Sequence, residues 1–218
     1  DFKGYQNLMT LVSLGYIEGF LNYPRIDKEI LSKHSDGLIA LSSCLIGEIP
    51  RLILEGEIEK ACETASEYNE IFGRGNFYLE LMKHGIEKQN IVNNELLKIS
   101  KKLNIPVVAT NNCHYLYMSD SEEHVILDCI SRNIRLAVVE EYGDYNDQLY
   151  FRSSEDMRDM FVEIPESISN TIEIAEKCNL KLKLDGLKSP KYPEYELPFE
   201  FKSHYSYLEY LCNKGLKE

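Results

Sequence analysis

Five side chains able to bind metal or move protons lie at the ends of three apolar, strand-like runs in the sequence. Cys44 follows the first run, Glu80 and His84 end the second, and Asn112 and His114 follow the third. A thiolate, an imidazole and a carbonyl oxygen together suit zinc or a similar ion, although the amide is the weakest of these ligands. The pattern therefore predicts a site for metal or acid–base chemistry, provided that the three runs share one sheet.

Each of these residues also has a structural interpretation, which the sequence leaves open. A free cysteine commonly packs as a small apolar residue, so burial alone would account for Cys44. His84 precedes a glycine and is typical of a turn, while His114 has aromatic neighbours and is typical of a structural imidazole. Glu80 alternates with Tyr78, a spacing that favours an outward, solvated carboxylate.

The elements that would position these residues alternate between apolar strands and amphipathic helices. Strands are predicted at Leu38–Leu41, Asn76–Leu81, Pro106–Thr110 and, more briefly, Leu149–Phe151. Helices are predicted at Tyr5–Phe20, Asp27–Lys33, Ile49–Leu54, Glu57–Phe72, Ser119–Ser131, Ser167–Lys177 and His204–Leu216. A further helix follows Gly85 and includes Val92 to Leu103, and another runs to Met160 with Ser153 or Ser154 as its cap. Continuous apolar strands that alternate with helices are typical of a mostly parallel sheet, which is the α/β class. In such sheets, reactive groups gather at the carboxyl ends of the strands.

Composition excludes several classes of protein. The chain has 218 residues, a formal net charge of −12 and 44% hydrophobic residues, which is ordinary for a globular domain and excludes collagenous and disordered classes. The excess of acid argues against a broad nucleic-acid footprint, and no apolar run is long enough to span a membrane. Six irregularly spaced cysteines and the lack of a signal-peptide pattern predict reduced thiols and a cytoplasmic protein.

Lysines are concentrated near the end of the chain, where they alternate with leucines. These lysines are Lys177, Lys181, Lys183, Lys188 and Lys191. A nucleic-acid contact is one interpretation of this stripe. We favour an amphipathic edge strand whose solvated lysines discourage pairing with other sheets.

Seven blocks of the sequence resemble a known family in the right order. They are GYQNLMTLVSLGYIEGF, PRIDKEIL, GLIALSSCLIGEIPRLILEG, NFYLELMKHGI, NIPVVATNNCHYL, LYFRSSEDM and NTIEIAEKCNLKL. They look like the PHP (polymerase and histidinol phosphatase) domain of bacterial replicative DNA polymerases, the DNA polymerase III alpha subunits. On this resemblance, residues 1–188 form the C-terminal portion of a PHP domain. Residues 189–202 form a Pro/Tyr-rich linker, and residues 203–218 form the first helix leading to the polymerase palm.

The resemblance implies a partial, distorted seven-stranded α/β barrel. Family members with an intact site hold metal ions at the strand ends for phosphoester hydrolysis. Cys44 aligns with a Cys or His ligand of the family, Asn112 with the Asp of an Asp-x-His pair, and His114 with its His; Glu80 and His84 would be neighbours of that site. Because Asn112 lacks the charge of the family's Asp, and because the chain is expected to begin after the family's His-x-His motif, we expect a remnant site of low occupancy.

For function, the resemblance implies a scaffold within a replicative DNA polymerase. It implies no catalytic residues and no cofactor in this chain, with zinc or manganese bound only if an upstream segment completes the site. The proofreading exonuclease subunit and other replisome components are the implied partners, and DNA is reached through the parent polymerase. A PHP-type metal-dependent phosphoesterase and an unrelated α/β binding module are the alternatives. Removal of the first barrel strands would expose an unpaired sheet edge, which predicts self-association.

Overall fold

The computed structural model describes residues 1–136, 146–182 and 195–217. The chain divides into two compact units, Asp1–Lys181 and Leu182–Glu218. The first unit contains the sheet and all five candidate residues.

The first unit is built on a parallel sheet of three strands in the order β1–β2–β3. The strands are β1 (Ala40–Leu41), β2 (Phe77–Leu81) and β3 (Val107–Ala109). This arrangement confirms the predicted α/β class, while the described residues form three strands and not a seven-stranded barrel. The predicted strand at residues 149–151 is present as a single parallel bridge between Tyr115 and Tyr150.

Nine helices lie in the described ranges and follow the predicted positions closely. They are α1 (Phe2–Ile17), α2 (Lys28–Lys33), α3 (Glu48–Leu54), α4 (Ile58–Phe72), α5 (Glu87–Leu103), α6 (Ser121–Arg132), α7 (Ser154–Met160), α8 (Pro165–Lys177) and α9 (His204–Gly215). Capping residues determine where some of these helices begin and end. Ser153 and Asp156 form a reciprocal capping box at the start of α7, and Asn104 ends α5 in the left-handed conformation.

The hydrophobic core lies around β2, the central strand, whose five residues are all buried. Alternate β2 residues share one core with the inner faces of α3, α4 and α5 and with the segment that joins α7 to α8. Its buried members are Ile49, Ile53, Ala61, Ala65, Phe77, Leu79, Leu81, Val92, Leu96, Ile99, Ile105, Val107, Ala109 and Phe161. Because a central strand is paired on both edges, its backbone polar groups are satisfied without solvent.

Helix α1 is less buried than its apolar spacing predicts. Of the residues expected on its inner face, Leu11 is buried, whereas Leu8, Val12 and Tyr16 are about half exposed. The helix instead docks through close backbone and polar contacts with the turn before β1. The Asn7 side chain donates to the carbonyl of residue 36 at 2.7 Å, and a Cβ added to Gly4 would lie 2.0 Å from the carbonyl oxygen of residue 37.

Helix α8 covers the outer edge of β3. Asn170 on α8 donates to the carbonyl of Val107 at 2.7 Å, which satisfies an edge acceptor. Lys177, at the end of α8, donates to the carbonyl of Gly75, the hydroxyl of Tyr78 and the carboxylate of Glu173.

The edge-strand interpretation of the lysine stripe is wrong for its described part. Lys177 is helical because it ends the amphipathic helix α8, and Lys181 lies outside any strand. Lys183, Lys188 and Lys191 lie outside the described residues.

The second unit contains α9, capped by Ser203. Aromatic rings at its start form a cluster in which the ring centroids of Phe201 and Tyr207 are 4.8 Å apart and those of Phe201 and Tyr210 are 5.2 Å apart. Within the described ranges, no helix is both long and apolar enough to cross a bilayer. The proposed boundaries of the linker and the palm helix stay a prediction.

Candidate functional site

The candidate residues follow three strands whose order decides how they can meet. Cys44 follows β1, whereas Asn112 and His114 follow β3, and β2 lies between them. Neighbouring strands are about 4.8 Å apart, so the outer two are separated by roughly 10 Å. A metal ion shared by Cys44 and His114 would therefore require their loops to converge over the end of β2, where Glu80 and His84 lie.

Glu80 is buried, which corrects the expectation of a solvated carboxylate. Its backbone N–H donates to the Ser42 hydroxyl at 2.8 Å, and the Thr110 hydroxyl donates to its carboxylate at 2.6 Å. The reason is the central position of β2, since both faces of a central parallel strand are covered. Glu80, within β2, therefore links the residues that follow β1 and β3.

His84 is also buried, in the loop that follows β2. The backbone N–H of Asn112 donates to His84 Nε2 at 3.3 Å, so Nε2 is an acceptor and the ring proton of the neutral form lies on Nδ1. Its carbonyl accepts from the Asn146 side chain at 3.4 Å. With Nε2 engaged in this way, His84 joins the β2 and β3 loops as a structural imidazole.

The electrostatic surroundings of His84 favour its neutral form. Burial is the largest effect and lowers the pKa of His84, because a charged imidazolium loses solvation. The positive charge of Arg152 and the nearby His114 imidazole lower this pKa further, while the neighbouring Asn111 side chain acts in the opposite direction. The neutral imidazole is therefore the favoured form of His84 in the folded chain.

The strand-end cluster consists of the hydrogen-bonded residues Ser42, Glu80, His84, Thr110 and Asn112. Asn112 and His114 lie on its exposed side. The backbone N–H of His114 donates to the carbonyl of Leu149 at 2.8 Å, which ties the loop to the segment before α7. The His114 ring meets the ring of His124 on α6 edge-on, with centroids 4.9 Å apart. Packing against another imidazole supports the structural interpretation of His114.

Cys44 lies in the turn between β1 and α3 and is partly exposed. Its carbonyl accepts from the backbone N–H of Gly47 at 2.8 Å, and the preceding Ser43 has a φ of 69°. Gly47 closes this turn tightly, because a Cβ there would lie 2.6 Å from the carbonyl oxygen of Ser42. All six cysteines are free thiols.

Asn111 and Arg152 also belong to the strand-end cluster, although the sequence-based prediction did not include them. Asn111 donates through its side-chain amide to the carbonyl of Tyr150 at 2.7 Å. Arg152 donates to the Tyr150 hydroxyl at 2.7 Å and to the side-chain oxygen of Gln148. The rule that located Asn112 also applies to Asn111, which directly follows the same strand, but no local pattern indicates Arg152.

The described residues do not by themselves fit a metal centre. In residues 1–136, 146–182 and 195–217, no three His, Cys, Asp or Glu side chains are grouped so that they could hold an ion. Catalytic zinc takes about three protein ligands, and the amide of Asn112 is a poor substitute for a carboxylate. Whether Cys44, Asn112 and His114 form a remnant site stays a prediction.

Comparison with known proteins confirms the resemblance seen in the sequence. Residues 1–84 match the PHP domain family. The chain is 41% identical over 215 residues to DNA polymerase III subunit alpha of Borreliella burgdorferi, an alignment that covers 98% of this chain and 18% of that protein. It is also 39% identical to the same subunit of Treponema pallidum and 38% identical to that of Thermus aquaticus, again over at least 98% of this chain and 18% of each relative. The chain therefore spans about a fifth of the length of the curated relatives it matches.

Proposed function

From the premise that the chain is a relative of DNA polymerase III alpha subunits and carries a PHP-domain match, we propose that it is a scaffold region of a bacterial replicative DNA polymerase. The observation that carries this proposal is the similarity over 98% of the chain to alpha subunits from several bacteria. On this proposal, nucleotide transfer takes place in another part of the polymerase. Like the sequence analysis, the proposal places the protein in the cytoplasm.

The strand-end cluster would serve this role as a structural link between loops. Glu80 joins the residues that follow β1 and β3, and His84 receives a hydrogen bond from Asn112. These bonds use groups that a hydrolytic site would need to keep free. We propose Cys44, Asn112 and His114 as the remnant of a metal site, with zinc or manganese bound only when further ligands complete it.

The phosphoesterase alternative has less support. The amide of Asn112 cannot bridge two ions as a carboxylate can, and Arg152 already places positive charge beside His84. Negative charge within this cluster comes from Glu80, which accepts the Thr110 hydroxyl. A divalent cation would therefore enter a site that is poorly prepared for it.

The proposed partners are a proofreading exonuclease subunit and other replisome components, and DNA would be held by other parts of the polymerase. The formal net charge of −12 agrees with this division, because an acidic surface repels phosphate. Self-association of the isolated chain is also proposed, since Leu8, Val12 and Tyr16 are exposed on one face of α1. Light scattering should then show dimers or larger species, and a compact monomer would contradict this proposal.

Variants of the full-length parent polymerase test whether this region acts as a scaffold or as a chemical site. Cys44→Ala and His114→Ala should leave primer extension and copurification of the exonuclease subunit unchanged, because neither residue is proposed to act chemically. Leu96→Ala, which opens a cavity in the core, should reduce both. A scaffold role is contradicted if Leu96→Ala destabilises the region but changes neither readout, or if His114→Ala abolishes a phosphoesterase activity of the wild type.

A substitution at residue 112 tests whether the strand ends are the remnant of a metal site. Asn112→Asp restores the anionic ligand of the family pattern, so elemental analysis after zinc or manganese loading and gel filtration should show more metal retained than in wild type. Asn90→Asp, an exposed change on α5, is the control for added charge alone. Stoichiometric metal in the wild-type protein after chelator treatment would contradict the remnant interpretation.

A further inference from the structure

A groove of about 730 Å³ lies between α7 and α8 at the carboxyl end of β3. Its lining is mainly apolar and includes the buried side chains of Ala109 and Phe161. Two apolar side chains of the groove, Val162 and Ile172, are 72% and 60% exposed. Exposed apolar side chains that continue a concave surface are typical of a site that another molecule covers.

The groove is positively charged although the chain is acidic. Among the described residues that line it, Arg152 and Arg158 carry charge. Arg152 Nε is buried and has no hydrogen-bond partner among the described residues, even though both terminal nitrogens of this side chain are bonded. A carboxylate that enters the groove would be attracted by the positive charge of the Arg152 guanidinium group. Arg158 uses Nε to bond the carbonyl of Ser154 at 3.1 Å, and its terminal nitrogens remain as further donors.

Acidic residues of the same two helices do not line the groove. Asp156 is engaged in the capping box with Ser153, and Glu173 is paired with Lys177 and Tyr78 on another side of α8. The groove therefore combines an apolar floor with guanidinium donors, and none of the described residues that line it is acidic. This combination matches a ligand that is both apolar and anionic.

We propose that this groove docks a segment of a partner protein in which apolar side chains flank an acidic residue. The apolar side chains would cover Phe161, Val162 and Ile172, and the carboxylate would accept from Arg152 and Arg158. A volume of roughly 300–1,000 Å³ also suits small molecules. Val162 and Ile172 line the groove yet stay 72% and 60% exposed, so a polypeptide that extends past its rim would cover more of their surface than a molecule held within it. This docking site does not depend on the proposed scaffold role.

The probe is a short fluorescein-labelled peptide in which Leu and Phe alternate with Asp, and binding is followed by fluorescence anisotropy with the full chain. The wild type should bind this peptide, and should bind the Asn-for-Asp version about tenfold more weakly, as is common for loss of a charged anchor. Arg158→Glu and Ile172→Ser should each weaken binding by a similar factor. Arg51→Glu on α3 and Ile130→Ser on α6 are the matched controls, since both residues are exposed away from the groove.

Three outcomes would overturn the proposal. The first is failure of the wild-type chain to bind the Asp peptide. The second is equal affinity for Arg158→Glu and Arg51→Glu, which would show that the groove is not the binding surface. The third is displacement of the peptide by octanoate at a comparable concentration, which would identify a site for a small anionic amphiphile instead. Circular dichroism of each variant keeps loss of binding distinct from loss of folding.

Discussion

The two outer strands of the sheet are covered by helices in different ways. Beside β3, α8 donates a side-chain hydrogen bond to Val107, and the segment leading into it places Phe161 in the core. Before β1, α1 makes close contacts at Gly4 and Asn7, while Leu8 and Val12 stay half exposed. Both helices are amphipathic in sequence, so the comparison shows that apolar spacing predicts a helix but does not tell how completely its face is covered.

The largest expected effect is the difference in unfolding free energy between a variant in the core and a variant on the exposed face of α1. Leu96→Ala removes a fully buried side chain and should lower the free energy of unfolding by about 2–5 kcal/mol. At protein concentrations low enough to keep the chain monomeric, Leu8→Ala should change it by less than about 0.5 kcal/mol, because Leu8 is half exposed. Urea unfolding of the two variants measures this difference. Equal losses would show that the α1 face is covered in solution, for example by a second copy of the chain.

Gly4→Ala tests the backbone contact that holds α1. The new methyl would overlap the carbonyl of Gly37, so α1 must shift, and we expect a loss of about 1–3 kcal/mol. Gly215→Ala on α9 is the control, because nothing lies within 4 Å of the added Cβ and alanine favours a helix by about 1 kcal/mol. Hydrogen exchange should show faster exchange in α1 for Gly4→Ala. Unchanged protection there would mean that this contact does not position the helix.

Asn170→Ala tests how β3 is protected at its outer edge. Loss of the side-chain donor leaves the carbonyl of a buried residue, Val107, unpaired, which should cost about 1–3 kcal/mol. Asn90→Ala on the exposed surface of α5 should be close to neutral. If thermal unfolding shows the same midpoint for both variants, then water replaces the Asn170 donor and the edge is open.

The smallest effect is a pH dependence that comes from the strand-end loops. Burial lowers the pKa of His84 below the value of about 6.5 expected in the unfolded chain, so the unfolded state binds more protons between these two pKa values. The contribution of His84 to stability is therefore full above about pH 6.5 and is lost as the pH falls through the lowered pKa. His84→Gln should flatten the slope of unfolding free energy against pH in this window. Asn90→Gln, a change of a non-titrating residue on the exposed surface of α5, should leave that slope unchanged.

Much of the local structure was predictable because its causes are local. Apolar runs located the three strands, three-to-four spacing located the helices, and Ser153 predicted the start of α7. The three strand ends also indicated where polar residues would gather, since this follows from parallel topology alone. The rule that polar residues gather at the ends of parallel strands would also have placed Ser42 and Thr110 in the candidate site, because they directly follow β1 and β3.

The sequence by itself determined the α/β class, the succession of elements and the resemblance to the PHP domain, because each depends on short-range spacing or on ordered blocks of residues. Only the tertiary structure decided that β2 is central, that Glu80 and His84 are therefore buried, and that Arg152 reaches the loops from a distant segment. The physical reason is that burial and charge depend on neighbours brought together by strand order. A residue's own sequence context does not contain that order.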